Sequence, residues 1–337
     1  MYNYEHREAK QYFRQVMDQY PAHPAGSLLF GVADWMLVRG THGVTASEET
    51  LLVRIQEAAE LCKPYVQKNP DDVYGWLLYG MSLGIQARVD LARKHWIAGA
   101  IHGYRGITKV KKAEQLDSEL ADVQLAMGAF HYYVGMSGAL LQTVSRLFGL
   151  HGTMEQGRKE LQHAAENGRY GSQEAWSILM YINGYLEDHV QEALKISRRL
   201  TSEFPNSPYY WAMRGDFEFA LGDTMAAKNT LDSLRELIPG LDRFYQLEYG
   251  NKATYLSGLL AFHRQYYQDA IALLQQYIDE NIDEYDFHGL NARIIAGKSY
   301  LELNRPDEAQ VHFREVAAEQ IPSRMRSEAR QMLQSLE

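Results

Sequence analysis

Twelve histidines, a single cysteine and a few close pairs of carboxylates are the groups in this chain that could carry chemistry. His95 and His102 stand seven residues apart and share a helix face, yet two imidazoles without a nearby carboxylate make a poor metal site. No HExxH motif occurs, and no two histidines lie four apart. The spacing therefore predicts packed or hydrogen-bonded histidines. His151 with Glu155, and Glu308 with His312, read as surface pairs of small energetic value. Cys62 falls in the stripe Ala58, Cys62, Tyr65 and reads as a buried small hydrophobe rather than a nucleophile. Gly99, Gly103 and Gly106 match neither a Walker nor a Rossmann spacing, and they read as points of close helix contact. Asp71 and Asp72 follow Pro70 at a helix start, where carboxylates cap free amides. No GxSxG, kinase or zinc-finger pattern is present. These residues predict neither an enzyme nor a cofactor.

The elements that must position these groups follow from composition and period. The 337 residues are 46% apolar and 23% charged, which excludes an intrinsically disordered chain. A net charge of −9 argues against a general electrostatic hold on nucleic acid or anionic lipid, so neither is an expected partner. One cysteine excludes an internal disulfide framework. No apolar run is long enough for a transmembrane segment. Helical stripes recur nearly from end to end: Ala309, Phe313, Val316; Ala270, Leu274, Tyr277; Ala227, Leu231, Leu234. Period-two alternation is not sustained anywhere, and an all-α fold is predicted.

The stripes repeat in register. Trp211, Gly215 and Ala227 reproduce the spacing of Trp76, Gly80 and Ala92; Gly258 with Ala270 and Gly297 with Ala309 reproduce it again. A small residue on each helix lets two axes approach, and aromatic and leucine side chains fill the space beside them. Pro70, Pro205 and Pro239 close the second helices. On these residues the chain closely resembles the tetratricopeptide repeat (TPR) family, in particular bacterial multi-repeat members. The resemblance implies one right-handed α-solenoid of antiparallel helix pairs over 1–337. It would consist of a half repeat at 1–23 and repeats at 24–72, 73–106, 121–169, 174–207, 208–241, 251–284 and 290–323, closed by a capping helix at 324–337. The first of these repeats is expected to carry an expanded turn at THGVTASEET, and the third an insert at 134–150. Within the insert, Leu140, Leu141, Val144, Leu147 and Phe148 form an amphipathic stripe expected to pack on the solenoid. The opening segment is similar to that of repeat proteins that often carry an export signal, which leaves cytoplasm and periplasm both open.

In such a solenoid the first helix of each pair lines the concave side. Carrying the family's inward positions across gives Trp35, Tyr74, Leu77, Met81, Tyr132, Tyr185, Tyr209, Asp216, Phe219, Tyr255, Phe262 and Lys298. This implies an aromatic groove, rich in tyrosine and poor in charge, that suits an extended protein or peptide. The leading expectation is a non-catalytic scaffold for an unidentified protein or peptide. A carrier of a small apolar molecule or lipid, in a tunnel closed by the 134–150 insert, is the alternative.

Overall fold

A computed structural model describes residues 1–93, 95–136, 151–280, 287–319 and 322–336. The amphipathic helix expected within 134–150 lies outside the described residues from 137 onward. Among the described residues every regular element is helical. The chain divides between Ile178 and Leu179 into two compact units.

The first unit holds α1 (His6–Gln19), α2 (Pro24–His42), α3 (Val44–Lys68), α4 (Val73–Ala92), α5 (Trp96–Leu116), α6 (Ala121–Met136), α7 (Met154–Asn167) and the start of α8 (Ser172–Tyr181). Helices pack as successive pairs, α2 on α3, α4 on α5 and α6 on α7. Close approach comes from glycine. A Cβ placed on Gly106 of α5 would sit 3.0 Å from the Gly80 carbonyl oxygen of α4. One on Gly157 of α7 would lie 2.3 Å from the Tyr132 amide and 2.5 Å from the Gly128 oxygen, closer than real atoms pack. The expanded turn expected at THGVTASEET is instead the first part of α3. Gly43 alone breaks the helix, with φ of 88°, a conformation glycine adopts without steric cost.

The second unit continues α8 into a π-helical turn (Ile182–Leu186) and then runs α9 (Val190–Glu203), α10 (Pro208–Ala220), α11 (Thr224–Leu237), α12 (Arg243–His263), α13 (Tyr267–Glu280), α14 (Phe287–Glu302), α15 (Pro306–Ala318) and α16 (Arg324–Ser335). Its second helices are amphipathic: α11 buries Ala227, Thr230, Leu231 and Leu234 along one stripe, and the Asp223 carboxylate caps its start through the Ala226 amide. Its first helices are buried on more sides, as α10 shows with Tyr210, Met213, Asp216, Phe217 and Phe219. First helix meets first helix along the unit, α10 with α12, α12 with α14 and α14 with α16. Each unit is thus a stretch of α-solenoid built from antiparallel helix pairs.

One contact explains why tryptophan recurs six residues after a proline. The indole N–H of Trp76 donates to the Pro70 carbonyl at 2.8 Å, and Trp211 donates to the Pro205 carbonyl at 2.8 Å. Each tryptophan thereby ties its own helix to the chain that has just left the preceding hairpin.

Replacing Gly157 by Ala forces backbone apart and is expected to cost about 1–3 kcal/mol through overpacking. Gly250→Ala meets nothing within 4 Å and is expected to be neutral or to stabilise by up to about 1 kcal/mol through helix propensity. Urea midpoints of the two variants against the parent chain check the contrast.

Candidate functional site

The chemistry-bearing groups resolve first. His102 Nδ1 lies 2.7 Å from Asp90 Oδ2, and His95 Nδ1 lies 3.9 Å from Asp90 Oδ1, so Asp90 is the carboxylate that the spacing alone did not supply. Among the described residues no cluster of three or more His, Cys, Asp or Glu side chains is arranged to hold a metal ion. Glu155 pairs with Lys159 at 2.7 Å and Glu308 with Arg305 at 2.7 Å, rather than with the histidines four residues away. His312 is buried and stacked on Tyr300. Asp72 caps α4 at the Gly75 amide, 3.2 Å away, and also accepts from the Tyr65 hydroxyl at 2.6 Å. Cys62 is buried, and that burial pushes its thiol up to about 12, partly offset by a hydrogen bond with Ser82.

The expected concave residues separate into two sets within each unit. In the first unit Leu77 and Tyr132 are buried, while Trp35, Tyr74 and Met81 are half-buried. The Tyr74 hydroxyl donates to Asp122 at 2.9 Å, and burial followed by that carboxylate pushes the phenol up to about 12. The same carboxylate accepts the backbone amides of Tyr170 and Gly171 at 2.9 and 2.8 Å. A cavity of about 320 Å³ opens beside α1, lined by Arg7, Lys10, Gln11, Arg14 and Leu37.

In the second unit Tyr185, Asp216, Phe219 and Tyr255 are buried, and Tyr209, Phe262 and Lys298 are half-buried. Lys298 is paired with Glu328 of α16 at 2.5 Å. The buried set does not stand open to solvent. Phe219 stacks on His263, while Tyr185 and Tyr255 converge on the Asp216 carboxylate of α10, which is 0% exposed. Tyr185 donates to Asp216 Oδ2 at 2.8 Å, Tyr255 donates to Oδ1, and Asn291 Nδ2 donates to Oδ1 at 3.2 Å. Asn291 also reaches the Tyr255 hydroxyl at 2.6 Å. Burial, and after it the Asp216 charge, raises both phenols well above the ordinary tyrosine range. Neither tyrosine ionises at physiological pH; both remain hydrogen-bond donors.

Residues that the sequence did not single out complete the cluster. His288 Nε2 lies 3.1 Å from the Tyr185 hydroxyl, and its Nδ1 lies 3.0 Å from Lys252 Nζ, which donates to Tyr277 at 2.6 Å. Phe287 stacks on Tyr185 with centroids 5.3 Å apart and planes 8° from parallel. Arg324, the first residue of α16, donates from Nε to the Gly184 carbonyl at 2.8 Å and brings Nη2 to 3.9 Å from Asp216 Oδ2. Positions 287 and 288 fall before the start expected for their repeat, and Arg324 looks like any cation on a polar cap; only topology reveals them. Chemically, the site is a set of fixed donors and one buried anion built on rigid helices, suited to recognition of a cationic or hydrogen-bonding group.

No family model and no curated protein sequence matches the chain. Solved structures to which it is similar include yeast Tom70, with 17% identity, a TM-score of 0.43 and coverage of 92% of this chain. The chain spans 63% of Tom70's length. YrrB, described as a TPR protein with an unusual peptide-binding site, shares 16% identity over 70% of this chain and 98% of its own, at a TM-score of 0.42. A human IFIT1 dimer with PPP-AAAA shares 12% identity over 94% of this chain and 70% of its own, at 0.45. The helix pairs of the chain itself establish the hairpin-repeat fold.

Tyr255→Phe leaves Asp216 and Asn291 each short of a buried partner and is expected to destabilise by about 1–3 kcal/mol. Tyr12→Phe, at a ring 63% exposed, is the near-neutral control in the same denaturation series. Cys62 is expected to resist iodoacetamide at pH 8 in the native chain and to react promptly in urea, a contrast that mass spectrometry of alkylated peptides reads directly.

Proposed function

We propose that this chain is a non-catalytic scaffold that binds a protein or peptide segment along the inner helices of its hairpins. The observation that carries the reading is the set of half-buried side chains Tyr209, Phe262 and Lys298 on successive first helices of the second unit, above a buried polar cluster that fixes those helices. Tyr185, Asp216, Tyr255 and Asn291 come from four successive first-helix segments and meet at one point. Stacked hairpins present side chains at the regular interval of packed helices, about 8–10 Å. An extended polypeptide rises about 3.3 Å per residue, so two to three of its residues span one such interval and one rigid wall can engage several of them. Tyr209, Phe262 and Lys298 remain half-buried in the same unit and supply accessible aromatic and cationic contacts. Donors fixed by packing lose little freedom on binding, so a polar inner face can discriminate among segments without large buried area.

The test is selection of binders from a random peptide library on the full chain, followed by hydrogen exchange with the selected peptide bound. Slowed exchange in 208–220, 243–263 and 287–302 is the expected footprint. Protection confined to the second helices, 190–203 and 224–237, would place recognition on the outer surface and overturn the reading.

A further inference from the structure

The Asp216 cluster already holds one guanidinium, and it belongs to the chain's own last helix. The Arg324 side chain is 11% exposed. Its Nε meets the Gly184 carbonyl at 2.8 Å, its Nη2 stands 3.9 Å from Asp216 Oδ2, and its guanidinium carbon lies 6.0 Å from the centre of the Tyr185 ring. The π-helical turn explains the acceptor: the Glu187 amide returns to Ile182 and the His189 amide to Asn183, so the turn presents the Gly184 carbonyl to the guanidinium. These three features, a carbonyl, a carboxylate and an aromatic face, are what a guanidinium needs and what an ammonium satisfies poorly, because only the planar fork reaches separate acceptors at once.

The fit is incomplete. Among the described residues Arg324 Nη2 is buried with no hydrogen-bond partner, since 3.9 Å exceeds a hydrogen bond. Arg324 is also the first residue of α16, so its backbone cannot advance toward Asp216 without shifting the helix. That helix is anchored elsewhere, by buried Met325 and Ala329 and by the pair of Glu328 with Lys298. An arginine on a separate extended segment carries no such tether and can bring both terminal nitrogens onto the carboxylate.

We infer that the Gly184–Tyr185–Asp216 cage is an arginine-recognition site, occupied in the free chain by Arg324 and taken over by an arginine of a bound peptide. The inference rests on the inner-face reading above and names the partner chemistry of that face. Arg324 acts as a built-in competitor: while it fills the cage, the binding-competent fraction is small and the apparent affinity is reduced in proportion.

The probes are acetyl-Gly-Gly-Arg-Gly-Gly-amide and its lysine counterpart, titrated calorimetrically into the full parent chain, Arg324→Ala and Arg324→Gln. Both variants are expected to bind the arginine peptide on the order of tenfold tighter than the parent, as removal of a cis competitor requires, and to prefer it over the lysine peptide. Equal affinity of parent and variants, equal affinity for the two peptides, or no binding to a folded variant overturns the inference. Should both variants fail to fold, hydrogen exchange on the parent chain decides. At a high concentration of the arginine peptide, amides of 324–335 are expected to exchange faster as α16 is displaced. Unchanged exchange there, or no binding of the peptide at all, overturns it. Library-selected peptides that protect the inner helices without arginine preference, and without loosening 324–335, would sink this inference alone and leave the scaffold reading standing.

Discussion

Backbone-to-backbone approach of paired helices is the constraint on which the first unit is built. Gly106 against the Gly80 carbonyl, and Gly157 against Gly128 and Tyr132, bring two helices closer than any pair of side chains would permit. At such separation a larger residue on one helix has to close on a bare glycine of the other, as Val110 does on Gly80 and Leu161 on Gly128, both buried. The tryptophan–proline hydrogen bonds then fix how α4 follows α3 and how α10 follows α9, with the same 2.8 Å bond at Trp76 and at Trp211. Interlocking within the hairpin and tying between hairpins are separate devices, and the array needs both.

The inner face of the second unit obeys a different rule. A fully buried carboxylate at Asp216 is costly to desolvate, and the unit offsets the cost by surrounding it with two hydroxyls, an amide and a cation. Each of these groups comes from a different helical segment, so together with Asp216 on α10 the polar set aligns five elements at once. Hydrogen bonds have direction where apolar contacts do not. The cluster therefore specifies how the π-helical turn, α10, α12, α14 and α16 face one another, in addition to filling space among them.

How much of this was legible in the sequence depends on the kind of order involved. Helix periodicity, the small-residue contacts and the closing prolines are local or recur at a fixed interval, and Gly80, Gly106, Gly215 and Pro205 could be read as such. Asp72 as a cap and Cys62 as a core residue were readable for the same reason. The inward direction of Tyr185, Asp216 and Tyr255 was implied by register, but their closure on one another was not. Tyr185 meets His288 across 103 residues, and Arg324 meets Gly184 across 140. Such pairs depend on the curvature accumulated over several hairpins, which no local spacing encodes. The α2–α3 turn was missed for a smaller reason: THGVTASEET is polar and looks like a loop, yet Gly43 alone accommodates the reversal and the rest continues as helix.

Burial of a charged pair needs a reason beyond stability, because a well-packed apolar substitute is often equally stable or more so. An apolar inner face in the second unit would pack as densely with leucine at 216 and 324, and α16 would then be held by contacts that tolerate sliding by a fraction of a turn. With Asp216, the Gly184 carbonyl and the Tyr185 ring in place, a displacement of α16 withdraws the Arg324 cation from a buried carboxylate that Tyr185, Tyr255 and Asn291 still hold. A buried carboxylate ringed by directional donors thus ties α16 by charge and geometry, whereas a wall of leucines would hold it by size alone.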